Sequence, residues 1–279
     1  MKEGIDISSH NGTIDMKKVK ENGIEFIILR LGYGKHKSQI DTKFYENYYK
    51  SLDLNIPIGI YLYSYALNCD DALQEAKLVI NEINNLKIEY PVFLDMEDAD
   101  SYKSRNKIDN STCIDICETF CKFVEEQGYY AGIYANLDWL NNKINDKKLD
   151  RFDKWVAQWN DSCSYKGDYG MWQYSSKGSI LGISGFVDLN YSLKDYPTII
   201  KNAKFSIFFL YLRPEPAGCS FAKAAAASFI SFPLAVKYLA AWGFLFNFLL
   251  VFPFLSKLIW VIVYWPSPDP DLPFLLAIF

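Results

Sequence analysis

The chain has 279 residues, of which 50% are hydrophobic and 17% aromatic, and its formal net charge is −4. This length allows one large domain with an appendage or two small domains, and the apolar content is enough for a sizeable core. The acidic balance argues against a nucleic-acid partner. Six cysteines in so long a chain do not indicate a disulfide scaffold.

Short apolar runs alternate with amphipathic stretches through the first half of the chain. The predicted strands there are residues 4–8, 26–31, 57–63, 91–94 and 130–134. The spacing of apolar residues predicts helices over 14–22, 43–54, 70–86 and from 110 or 111 to 126. Three more short strands, residues 155–159, 170–174 and 185–189, follow with loops too short for full helices.

Five strand–helix repeats followed by three strands give eight strands, a number that closes a barrel with mostly parallel pairing. The expected fold class is therefore α/β, a TIM-like barrel. The alternative is an open doubly wound sheet, but no glycine fingerprint follows the first strand.

A carboxylate cluster follows the fourth predicted strand. Side chains at i and i+2 share a face of a strand, so Asp95 and Glu97 project together with Cα atoms about 6.6 Å apart. Carboxylates this close suppress one another's ionisation, so one can stay protonated near neutral pH and act as a general acid. The spacing leaves retention or inversion open. The alternative is a strand that ends in a solvated acidic loop.

The C-terminal ends of barrel strands share one face, where barrel enzymes place their chemistry. The predicted strand ends there are Asp6, Arg30, Tyr61, Tyr63, Asp95, Glu97, Tyr134, Gln158, Trp159, Gln173 and Asp188. Acids from three strands beside aromatic rings and amides indicate a carbohydrate site, because pyranose rings stack on aromatic faces and sugar hydroxyls need polar partners. No strand end offers a Ser–His pair, and neither His10 nor His36 has a metal-ligand companion at useful spacing.

Three cysteines, Cys113, Cys117 and Cys121, recur every fourth residue and so share one helical face. A thiol metal site is one interpretation. A buried stripe of small apolar residues is the other, favoured because no histidine is near and no CxxC pair exists.

Six segments carry a family resemblance: residues 6–12, 26–34, 93–97, 130–134, 171–175 and 185–190. In this order they resemble the family 25 glycoside hydrolases, the Chalaropsis-type lysozymes that include many phage endolysins, over about residues 3–195. The resemblance implies a (β/α)5(β)3 barrel and N-acetylmuramidase activity on the glycan strands of peptidoglycan, with no metal or organic cofactor. A catalytically inactive glycan-binding barrel and a chitinase-like hydrolase are the alternatives.

The resemblance also implies roles for individual residues. Glu97 would be the general acid, and Asp6, Asp95 and Asp188 the other essential acids. The position of aromatic and amide residues at or beside strand ends, and not the resemblance, suggests the substrate-binding candidates Tyr61, Tyr63, Tyr134, Gln158, Trp159, Trp172 and Gln173. One departure is the run from Arg30 to Tyr33, where many members carry Lys-x-Ser/Thr-Glu, and it affects the expected second-strand contacts.

The expected cellular setting is the bacterial cell wall. No apolar signal segment stands at the N-terminus, so we expect synthesis in the cytoplasm and phage-type release or non-classical export. We expect a monomeric barrel.

The composition changes near Lys201, and we predict a catalytic barrel over residues 1–197 and a hydrophobic tail over 198–279. Six basic and three acidic residues give residues 201–279 a charge of +3, which leaves −7 for residues 1–200. The uncharged run 238–256 approaches the length of a membrane span, and the apolar character continues to 265. The tail is interpreted as a membrane anchor, an unrelated out-of-frame segment, or a buried hydrophobic extension.

Overall fold

The structure, a computed structural model, describes residues 1–203, 249–252 and 260–263. Its contacts divide the chain into two units, Met1–Leu212 and Arg213–Phe279. The first unit holds a closed barrel of eight strands that follow one another in chain order. The strands are β1 (Lys2–Ile7), β2 (Phe26–Tyr33), β3 (Ile58–Tyr63), β4 (Val92–Asp95), β5 (Ala131–Asn136), β6 (Asp153–Ala157), β7 (Met171–Gly178) and β8 (Val187–Ser192).

Helices cover the barrel along its first five strands. They are α1 (Met16–Glu21), α2 (Phe44–Asp53), α3 (Cys69–Ile83), α4 (Tyr102–Arg105) and α5 (Asn110–Glu126). Only short 3-10 or π segments, Trp139–Lys143 and Lys147–Leu149, join β5 to β6. The predicted α/β barrel is therefore confirmed, with strand limits that differ from the prediction by a few residues.

Strand direction decides where the site can form. Strands β1 to β7 pair in parallel, whereas β8 runs antiparallel to both β7 and β1. The carboxyl ends of seven strands thus meet the amino end of β8. Asp188, expected near the end of its strand, is instead the second residue of β8. It still reaches the shared face because a reversed strand begins where its neighbours end.

The barrel interior is filled by large rings that need small neighbours. A Cβ on Gly4 would lie 2.4 Å from Cζ of Phe26, and one on Gly132 would lie 2.5 Å from Cε1 of Phe93. Both contacts are far below van der Waals separation, so glycine is required for these rings to fit. The interior cluster also includes Ile200 from the helical residues 196–203, so packing extends past the predicted boundary at residue 197.

The cysteine stripe packs in the outer layer of the first unit. Cys113, Cys117 and Cys121 are buried on α5, and burial raises the pKa of each thiol, which keeps it neutral. Cys113, Cys117 and Cys121 belong to the large apolar cluster between the helices and the barrel. Their surroundings fit the interpretation as small apolar residues.

The second unit contains a pair of antiparallel strands, β9 (Leu249–Phe252) and β10 (Trp260–Val263), in which Trp260 is paired in register with Phe252. Most of the predicted membrane segment 238–265 lies outside the described residues. Among the residues that are described, no helix has the length and apolar character needed to cross a membrane.

Candidate active site

One cavity opens on the face where β1 to β7 end. It is lined by Asp6, Tyr61, Asp95, Glu97, Tyr134, Trp155, Trp159, Gln173 and Asp188. Its volume of about 180 Å³ is below the roughly 300–1,000 Å³ of pockets that enclose a whole small molecule. A long polymer would therefore place only a short section inside and lay the rest along the rim.

Asp6 is held by amide donors at the centre of the cavity. Its Oδ1 accepts hydrogen bonds from Nε2 of Gln173 at 3.0 Å and from Nδ2 of Asn190 at 2.8 Å. The oxygen of each amide is used as well: Oδ1 of Asn190 accepts from Nε1 of Trp155, and Oε1 of Gln173 accepts from the hydroxyl of Tyr134. This chain of bonds fixes both amides, so the orientation of the Asp6 carboxylate is fixed.

Asp6 and Asp188 face each other across the antiparallel β1–β8 pair and share a hydrogen bond. Burial raises the pKa of Asp6, although the bonds from Asn190 and Gln173 oppose this shift. Burial and the neighbouring Asp6 charge raise the pKa of Asp188. A carboxyl pair with these shifts retains a proton near neutral pH, and that proton belongs to the pair.

Asp95 and Glu97 stand at and just beyond the end of β4. Asp95 is buried, and its Oδ1 accepts no hydrogen bond from the described part of the chain. Burial and the Glu97 charge raise the pKa of Asp95. Burial also raises the pKa of Glu97. These two groups therefore also hold a proton at pH values where a solvated carboxyl would have lost it.

Aromatic rings form the floor and one edge of the cavity. Trp155 is buried at the floor, with its ring centroid 4.5 Å from that of Tyr134 and 6.0 Å from that of Tyr61. Trp159 lies at the rim, 64% exposed, and its Nε1 donates to Oε1 of Gln173 at 3.0 Å. The exposed Trp159 ring offers a flat surface on which a sugar ring can stack.

Three residues predicted to bind substrate lie outside this lining. The hydroxyl of Tyr63 accepts from the main-chain N–H of Ala99, and the side chain of Gln158 bonds to Ser164. Trp172 donates to the main-chain oxygen of Gln158 and packs near Tyr191, 6.0 Å between centroids. A role for these three residues in substrate binding stays a prediction.

Alternation along β7 explains the position of Trp172. Successive side chains on a strand face opposite sides, so Gln173 in the cavity places Trp172 on the outer face. The same rule identifies two residues that the sequence analysis missed. Asn190 shares its side of β8 with Asp188, and Trp155 lies an even number of positions before the rim residue Trp159 in the predicted strand 155–159.

Arg30, where the sequence departs from the family pattern, supports the rim. It is half-buried, and its Nε donates to Oδ2 of Asp41 at 2.8 Å while a terminal nitrogen donates to Oγ of Ser9. The Asp41 carboxylate also accepts from the main-chain N–H of Ser9. Arg30 and Asp41 thus join the loops that follow β1 and β2.

This arrangement of acids can be compared with known proteins. The family model of glycosyl hydrolases family 25 matches residues 5–183, well over half of the chain. The chain belongs to this family. Its four cavity carboxyl groups come from β1, from the end of β4 and the residues after it, and from β8. Of these, only Asp188 lies outside the matched segment.

Several relatives are similar to this family 25 chain. An autolytic lysozyme from Clostridium acetobutylicum is 27% identical over 193 residues, which cover 67% of this chain and 55% of that protein. The modular autolysin LytC from Streptococcus pneumoniae, solved in complex with a synthetic peptidoglycan ligand, is 31% identical with a TM-score of 0.62. That match covers 68% of this chain and 46% of LytC. The CTP1L endolysin is 25% identical with a TM-score of 0.61, covering 72% of this chain and 70% of that one.

The chain therefore spans about half the length of the first two relatives, the autolytic lysozyme and LytC.

Proposed function

We propose that this chain is an N-acetylmuramidase that hydrolyses the β-1,4 bond from N-acetylmuramic acid to N-acetylglucosamine in peptidoglycan. The observation that carries the proposal is the convergence of four carboxyl groups with raised pKa in one cavity. Family membership and the lysozyme and endolysin relatives give further support. The site of action would be the bacterial cell wall.

Glu97 serves as the general acid in this proposal. Its raised pKa keeps a proton available, and the group is half-buried at the cavity, where a glycosidic oxygen can reach it. As the bond between C1 and the leaving oxygen breaks, the proton of Glu97 passes to that oxygen. Water later adds to C1 and returns a proton to Glu97, so the enzyme ends in its starting state.

Asp95 assists at C1. Its Oδ1 is buried at the cavity with no partner from the described residues, so it is available to accept the N–H of the substrate's 2-acetamido group. Accepting that bond orients the acetamido oxygen for attack on C1, a substrate-assisted route. Direct attack by the carboxylate is the other route, and both retain configuration.

Asp6 and Asp188 supply negative charge near the reacting carbon. The pair holds one proton between two carboxyls, which leaves a net negative charge beside the reacting carbon. Positive charge develops at C1 in the transition state, and a fixed negative charge there stabilises it. Trp159, exposed at the rim, would stack on a sugar of the same strand.

The test is digestion of purified peptidoglycan by the full-length chain, followed by borohydride reduction and mass spectrometry of the new reducing ends. We expect reduced muramic acid ends. New N-acetylglucosamine ends would contradict the assigned bond, and cleavage of chitin oligomers alone would favour a chitinase-like hydrolase. Binding to peptidoglycan without any new ends would indicate an inactive glycan-binding barrel.

A further inference from the structure

A buried lysine lies behind the two carboxyls of β4. Lys103 on α4 is only 3% exposed, and its ammonium donates to the main-chain oxygens of Ser64 and of Glu97, the latter at 2.8 Å. Its nitrogen also lies 5.4 Å from the ring centroid of Tyr63. Ser64 follows β3 and Glu97 follows β4, so one ammonium joins the ends of two neighbouring strands.

The position of Lys103 is itself fixed by the loop that carries it. The Asp98 carboxylate accepts from the main-chain N–H groups of Lys103 and Ser104, at 2.7 and 2.9 Å. Asp98 is the residue directly after Glu97. The loop therefore closes back on the end of β4 and directs the lysine side chain toward it.

Ionisable groups from four elements raise the pKa of the ammonium through their charge. They are Asp95 from β4, Asp98 from the following loop, Glu75 from α3 and Cys113 from α5. Glu75 is buried, accepts from Oγ of Ser64 at 2.8 Å, and has its pKa raised to about 7 by burial. Burial lowers the pKa of Lys103, whereas Asp95, the strongest of these charges, raises it. A buried ammonium among carboxylates stabilises the ionised form of those closest to it.

We propose that Lys103 is a positioning residue for the hydrolysis: it fixes the main chain at Glu97 and places a buried positive charge behind the two carboxyl groups of β4. This inference rests on the proposed function, because it concerns the same acid. The Lys103 charge lowers the pKa of both Asp95 and Glu97, against the effect of burial. Its positive charge thereby favours ionisation within the pair, while burial opposes it.

The experiment compares Lys103→Met with Lys154→Met in the full-length chain. Lys154 is a matched control: it is 5% exposed, its ammonium donates to the main-chain oxygens of Leu149 and Phe152, both at 2.6 Å, and it lies near the amino end of β6. Both variants lose a buried ammonium and its two hydrogen bonds. The measurements are kcat and KM on soluble glycan strands across pH, with the thermal midpoint for stability.

We expect both variants to be less stable and only Lys103→Met to change the chemistry. Its kcat should fall by roughly 10- to 100-fold, because small displacements of a catalytic group are that costly, while KM changes by less than about threefold. Loss of the positive charge raises the pKa values of Asp95 and Glu97. The acidic limb of the kcat profile should therefore move to higher pH.

A Lys103→Met profile that matches that of Lys154→Met in kcat and pH dependence would overturn the inference. If Lys103→Met does not fold, Lys103→Gln replaces it, since glutamine keeps a donor and removes the charge. For that variant a shift of the acidic limb supports the inference and an unshifted limb overturns it. Failure of the unsubstituted chain to cleave would overturn the proposed function, and this inference with it; an unchanged Lys103 variant of an active enzyme would overturn the inference alone.

Discussion

The two ends of the barrel treat a buried aspartate in opposite ways. At the amino ends of the strands, Asp153 accepts from the hydroxyl of Tyr196 and from Nζ of Lys194, both at 2.8 Å, and from the hydroxyl of Tyr130 at 3.3 Å. At the carboxyl ends, Asp95 is as deeply buried, but its Oδ1 has no partner among the described residues and Glu97 repels its charge.

This difference in hydrogen-bond partners separates a part of the barrel that stabilises the fold from a part that is suited to chemistry. A buried carboxylate with a cation and two phenol donors is satisfied and helps to hold the fold. A buried carboxyl beside other carboxyls destabilises the fold, yet it keeps a proton near neutral pH and an acceptor oxygen for a ligand. One end of the barrel is therefore arranged for packing and the other for chemistry.

The largest expected effect is on activity at the carboxyl end. Glu97→Gln is nearly isosteric and removes the transferable proton, so turnover should fall by at least about 10²–10⁴-fold with no loss of stability. Initial rates on peptidoglycan and urea unfolding check both parts. Activity within tenfold of the unsubstituted chain would rule out Glu97 as the acid.

Removal of the residues after Asp195 should instead affect folding. Tyr196 is fully buried and Ile200 is 8% exposed, so a chain that ends at Asp195 loses both from the interior cluster. We expect it to be less stable by at least about 3–5 kcal/mol, the cost of removing one large buried side chain. A chain that ends at Ala203 keeps both residues and should unfold cooperatively and cleave peptidoglycan.

Denaturant unfolding of the two shortened chains beside the full one tests this boundary. Equal stability of the two shortened chains would remove the proposed role of Tyr196. Aggregation of the chain that ends at Ala203, with a full chain that stays monomeric without detergent, would show that the proposed domain boundary near residue 197 is wrong.

A substitution of Asp153, the buried aspartate compared above with Asp95, should change stability without changing activity. Asp153→Asn removes the charge opposite Lys194 and leaves donors facing the hydroxyls of Tyr130 and Tyr196. We expect a loss of about 1–3 kcal/mol in the free energy of unfolding, because buried polar groups lose their partners. The kcat of the folded fraction should stay within about twofold. A large fall in kcat would mean that the two ends are coupled.

The smallest expected effect is a change in how stability depends on pH. Asp188 has a folded-state pKa above its unfolded value of about 3.9. It therefore contributes stability below the unfolded pKa that is lost as pH rises through the folded pKa. Asp188→Asn removes this titrating group. As pH rises through that range, the free energy of unfolding of the variant should therefore fall less than that of the unsubstituted chain, by on the order of 1 kcal/mol. Urea unfolding at several pH values measures this, and identical slopes would contradict the raised pKa.

Much of the fold could be predicted from local patterns. Apolar runs of four to six residues alternating with helical spacing indicated eight strands, and the structure has eight strands in the barrel. The pair Asp95 and Glu97 was visible because a buried run passes directly into acids. Residue alternation was also available, and applied to β6, β7 and β8 it would have identified Trp155 and Asn190 and placed Trp172 outside.

The sequence by itself determined the strand count, the helical faces and which acids end the strands, because these depend on spacing along the chain. The tertiary structure decided the rest. The reversal of β8 brings Asp188 opposite Asp6 although the two stand 182 positions apart. Lys103 reaches Glu97 because a folded loop returns its side chain to β4. Direction of pairing and depth of burial set the distances between charges and the local dielectric, and neither is encoded in any local run of residues.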